Sequence, residues 1–170
     1  MILIGFGANI PSPEFGSPVD TLEAALVMLG KEGVAVDRRS RWFTSPPVPP
    51  SDQPWYVNGV ASVVSSLPAP DLLGLMHQVE KNLGRVRRTR WESRIIDLDL
   101  LAYDGQVIEQ KNDGLRVPHP RLHQRLFVLL PLAEVSSTWQ HPESGLSVAE
   151  MIEKLPEDHR IQPITSLNAP

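Results

Sequence analysis

Apolar and polar positions along the chain predict alternating strands and helices. Met1 to Gly7 is almost unbroken apolar and reads as a buried first strand, which Ala8-Asn9-Ile10-Pro11 leaves through turn formers. Ser17-Pro18-Val19-Asp20 has the form of a capping box with proline at the first helical position, and Leu22, Ala25, Leu26 and Leu29 repeat at helical spacing to Gly30. Val34 to Trp42 alternates apolar with polar and predicts a second strand. Pro46, Pro47, Pro49 and Pro50 then exclude helix and central strand, because proline lacks an amide donor and fixes φ; Thr44 to Gln53 is expected to be a semi-rigid loop. Val57 to Leu67 predicts another strand, and Pro70-Asp71 opens a helix through Leu72, Leu73, Met76, Val79 and Leu83. Ile95 to Tyr103 is expected to be a strand, paired through an Asp104-Gly105 turn with a strand from Gln106 to Glu109. The rest reads as an irregular stretch, a short helix Phe127 to Glu134 interrupted at Pro131, a helix capped by Ser147 and Glu150, and an edge strand within Arg160 to Thr165. This order fits an α+β ferredoxin-like sandwich, a mostly antiparallel sheet with helices packed on one face.

Length and composition narrow the field. The 170 residues are enough for one self-sufficient core and are expected to form a single domain, 1–170. A net charge of −4 argues against a general nucleic-acid or membrane-surface binder. There is no cysteine, which excludes disulfides, thiolate metal sites and thiol catalysis. No apolar run is long enough to span a bilayer, and a cytoplasmic location is expected.

Candidate chemistry concentrates between Gly84 and Gly105, where five arginines (Arg85, Arg87, Arg88, Arg90, Arg94) precede Asp97 and Asp99. In a strand these aspartates share one face with Leu101, while Ile96, Leu98 and Leu100 share the other. Two carboxylates about 6 Å apart repel by about 3 kcal/mol at an effective dielectric of about 20, a cost that a bound cation removes. Oxygen ligands without cysteine suit a hard ion such as Mg²⁺, which takes one or two carboxylates plus phosphate oxygens. Guanidinium groups match phosphate oxygens with forked donors, so metal and arginines together imply polyphosphate. The plainer alternatives are two solvated acids on an exposed strand and a basic loop for nucleic acid. His119 and His123 could suggest zinc, but Pro120 breaks helical presentation and no third ligand is evident.

Four stretches resemble the 6-hydroxymethyl-7,8-dihydropterin pyrophosphokinase family of folate biosynthesis. They are GFGAN (Gly5 to Asn9), SPPVPPSDQPWYVN (Ser45 to Asn58), GRVRRTRWESRIIDLDLL (Gly84 to Leu101) and VPHPRLHQRLFVLLPLAE (Val117 to Glu134). The resemblance implies a ferredoxin-like fold and transfer of the β,γ-pyrophosphoryl unit of ATP to the pterin hydroxymethyl group, leaving AMP. It implies that Asp97 and Asp99 hold two Mg²⁺ ions and act with Arg85 and Arg94 in catalysis. ATP contacts are implied for Arg87, Trp91, His119, Arg125 and the backbone of Leu100. A pterin pocket is implied at Ser45, Pro46, Val48, Tyr56, Asn58 and Phe127, with Glu80 in the same region. The sequence departs from the family pattern at Glu92-Ser93, where Gly-Pro is common, at Ser45 for threonine, at Pro49 for glycine and in the loop after Asn9. None of these removes a group the reaction requires. A monomer acting on ATP and the pterin, with neither nucleic acid nor membrane as partner, is expected. The rivals are a nucleotidyltransferase, since Asp-x-Asp on a similar sheet occurs in palm-type polymerases, and an RNA-binding module, which lacks its aromatic and glycine signature here.

Overall fold

A computed structural model describes residues 1–85, 94–109, 114–156 and 161–165. Strand β1 (Ile2–Ala8) lies at the centre of an antiparallel sheet, between β4 (Tyr56–Val64) and β5 (Asp97–Tyr103). Strand β2 (Ala35–Arg39) and strand β3 (Phe43–Ser45) pair in succession along the far side of β4, and β8 (Gln162–Pro163) closes the edge on β3. Helix α1 (Pro18–Lys31) follows β1, and helix α2 (Ala69–Asn82) leads toward β5.

Helices cover both faces of the sheet, not the single face expected. Ile2, Ile4, Phe6, Val57, Ala61, Leu98 and Leu100 pack with Leu22, Leu29, Leu72 and Met76 beneath α1 and α2. On the opposite face Leu3, Val60, Leu101 and Ala102 pack with Leu129 and Leu132 of α3 (Leu126–Val135) and Met151 of α4 (Val148–Glu153). Two covered faces explain why β1 reads as a continuous apolar run without alternation. The α1 start matches its sequence signal: the Ser17 Oγ accepts the Asp20 N–H, and the Asp20 carboxylate accepts the Ser17 N–H at 3.0 Å. Ser147 and Glu150 make the same reciprocal cap on α4.

Three further expectations are corrected. The segment Val34 to Trp42 is not one strand. The register slips between Val36 and Arg38, Ser40 exchanges bonds with Val60 from its amide and Oγ, and the chain turns to lay Trp42 over Gly59. The Asp104-Gly105 turn forms, with both φ angles positive (48° and 69°) and the Gln106 N–H on Tyr103 O, but no hairpin with β5 follows. Instead β6 (Ile108–Glu109) pairs with β7 (Arg116–Val117) as a separate ribbon. The His119 N–H reaches the β5 backbone, at 2.8 Å from Leu101 O, and this brings the segment after β7 alongside the acidic strand. Finally, α3 runs unbroken through Pro131, whose missing amide leaves only the carbonyl four residues back without its usual partner.

A Cβ on Gly59 would stand 2.4 and 2.5 Å from two Trp42 ring carbons, and that ring is held edge-on to Phe6. Gly59→Ala is therefore expected to lower stability by about 1–3 kcal/mol through overpacking. Urea denaturation followed by tryptophan fluorescence measures it; an unchanged midpoint would contradict the packing described.

Candidate active site

A cleft of about 250 Å³ opens on the α3 face of the sheet. Its floor follows from strand alternation. Gly5 and Gly7 point the same way as Leu3, and the sheet register puts Gly5 opposite Asp99 and Gly7 between Asp97 and Asn58. With no side chains on the central strand there, the flanking Asp97, Asp99 and Asn58 border an open trough. One wall is the proline-rich segment, with Ser45, Pro46, Pro47, Val48 and Pro49, together with Gln53 and Tyr56. The other carries Arg121, Arg125, Phe127 and Val128, and Arg94 stands at the acidic end.

Asp97 and Asp99 share the face with Leu101, while Leu98 and Leu100 are buried beneath the helices, as alternation requires. Asp97 is not an uncompensated charge. Its Oδ1 lies 2.7 Å from Arg85 Nη1, and its Oδ2 accepts from Arg94. Among the described residues Asp99 pairs with Arg125, at 3.5 Å. Burial at the cleft floor, reinforced by the negative charge of Asp97, raises the Asp99 carboxyl from its ordinary 3.8 to about 6, with the arginines opposing. Burial, followed by the charges of Arg125 and Arg121, lowers His119 to about 4, so its imidazole is neutral near pH 7. Its Nδ1 accepts the Arg121 N–H at 3.2 Å, which leaves the proton on Nε2.

Arg85 is nearly buried and pairs with both Asp97 and Glu80. Glu80, from the last turn of α2, is 2 % exposed and also accepts the Leu98 N–H at 2.7 Å. It thus braces α2, Arg85 and β5 and is not among the residues that line the cleft. Removing one member of such a buried pair typically costs about 3–5 kcal/mol. The Leu100 side chain is buried on the far face, which leaves only its backbone for the contact that the resemblance implies.

Asn9 escaped the reading of individual residues. It is 2 % exposed, and its Oδ1 accepts the Arg94 N–H at 2.7 Å while its Nδ2 donates to Pro54 O at 3.2 Å and Gln53 Oε1 at 3.3 Å. The Asn9 N–H also bonds Arg94 O at 3.0 Å. One amide thereby ties the end of β1 to the proline wall and to the residue that holds Asp97. A local signal existed: asparagine directly after a buried strand carries a donor and an acceptor that must both be satisfied. Among the expected pocket residues, Ser45, Pro46, Val48, Tyr56, Asn58 and Phe127 come together around the cleft. The Asn58 amide meets Ser45 Oγ at 2.9 Å, and the Arg125 guanidinium lies 5.5 Å from the Phe127 ring centre. Arg87 and Trp91 lie outside the described residues, as do Arg88, Arg90, Glu92 and Ser93.

The donor set suits a hard cation. Asp97 and Asp99 present oxygen ligands on one strand face, and among the described residues no third acid or histidine completes a cluster, so phosphate oxygens would fill the remaining positions. Fold and cleft together define a ferredoxin-like α+β protein whose site sets paired carboxylates and arginines beside an aromatic, amide-lined pocket. The sequence profile described as 7,8-dihydro-6-hydroxymethylpterin-pyrophosphokinase matches residues 3–137, and the chain belongs to that family. It is 37% identical over 154 residues to a 2-amino-4-hydroxy-6-hydroxymethyldihydropteridine pyrophosphokinase of Synechocystis sp., covering 90% of this chain and 75% of the relative. It is 35% identical over 159 residues to the protein of that name from Haemophilus influenzae, covering 93% of this chain and 94% of the other. Among solved structures, a Plasmodium falciparum HPPK-DHPS matches with a TM-score of 0.62 at 12% identity, over 90% of this chain and 41% of that longer one, a likeness of fold.

The Asp99 shift has a sign that can be tested. Its native carboxyl holds a proton that the unfolded chain has already released, so ionising it weakens the apoprotein as pH rises from about 4 to about 6. Asp99→Asn is expected to stabilise the apoprotein at pH 7.5 by about 1–2 kcal/mol, after allowance for screening on its open side. The gain should vanish below pH 4, where both forms are neutral. Urea midpoints across this range measure it, and a less stable variant at pH 7.5 would contradict the assignment.

Proposed function

We propose that this chain transfers the pyrophosphoryl group of ATP to the hydroxymethyl oxygen of 6-hydroxymethyl-7,8-dihydropterin, yielding AMP and the pterin diphosphate, a step of tetrahydrofolate biosynthesis. The observation that carries the proposal is adjacency: the pocket of Tyr56, Asn58 and Phe127 opens directly onto Asp97, Asp99 and Arg94 in one cleft.

In this reading Tyr56 and Phe127 supply faces for the flat pterin, and Asn58 bonds its polar edge. Its amide is already steadied by Ser45 Oγ. Asp97 and Asp99 would hold Mg²⁺, two ions by the resemblance, which neutralise phosphate oxygens and make the acceptor hydroxyl more acidic. With Asp97 holding such an ion, Arg85 and Arg94 would lose a carboxylate partner and would be available to the phosphates. Arg85 keeps Glu80, and Arg94, which lines the cleft, keeps its backbone anchors on Asn9. The acceptor oxygen forms a bond to the β-phosphorus as the bond from that phosphorus to the α-bridging oxygen breaks. The hydroxyl proton leaves to solvent, since no described side chain in the cleft other than the metal-holding carboxylates is placed as a base. The neutral His119 and Arg125 flank the same end of β5 and suit the nucleotide's ribose and phosphates.

Incubation with MgATP and the hydroxymethyl dihydropterin should yield AMP and a diphosphorylated pterin in equal amounts. Free pyrophosphate would instead support nucleotidyl transfer. Asp97→Ala and Asp99→Ala are each expected to cut turnover by about a hundredfold or more while circular dichroism stays unchanged. Near-normal turnover in either variant would remove that residue from the proposed chemistry.

A further inference from the structure

We propose that Asn9 is a positioning residue for the transfer step, a buried strut that fixes the spacing between the two halves of the cleft; this deepens the functional reading above and rests on it. Asn9 is 2 % exposed and is not among the residues that line the cleft, so whatever it does to a ligand passes through its neighbours. Those neighbours do line it: Arg94 at the acidic end, and Gln53 with Tyr56 on the wall proposed to hold the acceptor.

The chemistry of the position calls for an amide. Asn9 Oδ1 accepts the Arg94 N–H, a group that can only donate, and Nδ2 donates to Pro54 O, a group that can only accept, so the amide cannot turn over. The same Nδ2 meets Gln53 Oε1 at 3.3 Å, and that oxygen also accepts the Tyr56 hydroxyl at 3.3 Å. A line of hydrogen bonds therefore runs behind the wall, from the ring proposed to face the pterin to the main chain of the arginine that holds Asp97. The Asn9 N–H also bonds Arg94 O, so losing the side chain loosens Arg94 without releasing it. Transfer between two bound substrates depends on the gap between acceptor oxygen and phosphorus, and a misplacement of about 1 Å costs about a hundredfold in rate. Without the strut each half keeps its own ligand contacts, but the distance between them is no longer set.

Steady-state kinetics and calorimetry on wild type, Asn9→Ala, Asn9→Asp and Tyr56→Phe test this. Asn9→Ala should lower kcat about tenfold to a hundredfold, while the dissociation constants of the hydroxymethyl pterin and of MgATP, each titrated alone, change less than about threefold. Asn9→Asp keeps the shape and the acceptor for Arg94 but has no donor for Pro54 O when ionised, so it should resemble alanine and not wild type. Tyr56→Phe keeps the ring and loses the bond to Gln53; its kcat should fall about twofold to tenfold, and in the double variant with Asn9→Ala the losses should combine to less than their product. Ligand affinities that fall in step with kcat would make Asn9 merely structural, wild-type turnover in Asn9→Asp would reduce it to a filler of space, and independent effects in the double variant would break the line; each overturns the proposal. Should Asn9→Ala fail to fold, Tyr56→Phe decides: lowered kcat with pterin affinity retained upholds the strut, and any other result overturns it. If the wild type forms AMP and pterin diphosphate while the variants show an overturning pattern, only this inference falls. If the wild type forms no such product, the functional reading falls and takes the inference with it.

Discussion

Opposite charges that cannot separate hold the working end of this molecule together. Strand β5 carries Asp97 and Asp99 on one face, and Arg85, Arg94 and Arg125 close on them from three places in the chain. Neither half would be favourable alone, since crowded carboxylates and crowded guanidinium groups each repel. Among the described residues Asp97 is doubly paired, and Asp99 meets Arg125 at 3.5 Å. Behind them the buried Glu80 fixes Arg85 to the strand itself. A ligand bringing both phosphate and a divalent ion can exchange these internal pairs for external ones without leaving a buried charge unpaired.

The sheet separates support from chemistry. One face, beneath α1 and α2, is closed hydrocarbon. The other is closed by α3 and α4 only part of the way, and beyond Leu101 it opens into the trough. The ribbon β6 and β7 belongs to the second arrangement. By not pairing with β5, it returns the chain so that His119 reaches the strand edge and Arg125 approaches Asp99. What seemed from the sequence to be a simple hairpin is a detour that brings distant cations to the acids.

Features decided by neighbouring residues were legible in the sequence, and features decided by distant ones were not. The shared face of Asp97 and Asp99 follows from alternation alone, and the caps at Ser17 and Ser147 need only three residues each. The proline wall, with Tyr56 and Asn58 after it, was visible because proline forbids regular structure there. By contrast, the bond from Arg94 to Asn9 spans 85 positions and the one from Leu98 to Glu80 spans 18, so the neighbouring sequence could not show which groups Asn9 and Glu80 would hold. Helices on the second face were missed for a related reason. Burial of Leu3 and Leu101 depends on α3 arriving from later in the chain, although the unbroken apolar run of β1 carried the hint.

The bare floor at Gly5 and Gly7 has a consequence for inhibition. A compound reaching it would rest on main chain, which no substitution can delete. Resistance there would have to come from adding bulk: a methyl group on Gly5 would lie 3.2 Å from the Leu101 side chain, a tight fit, whereas one on Gly7, 3.6 Å from the Asn58 oxygen, would make ordinary contact. The same bulk that expelled a drug would intrude on the space the natural substrates need, so escape by this route would come at the enzyme's own expense.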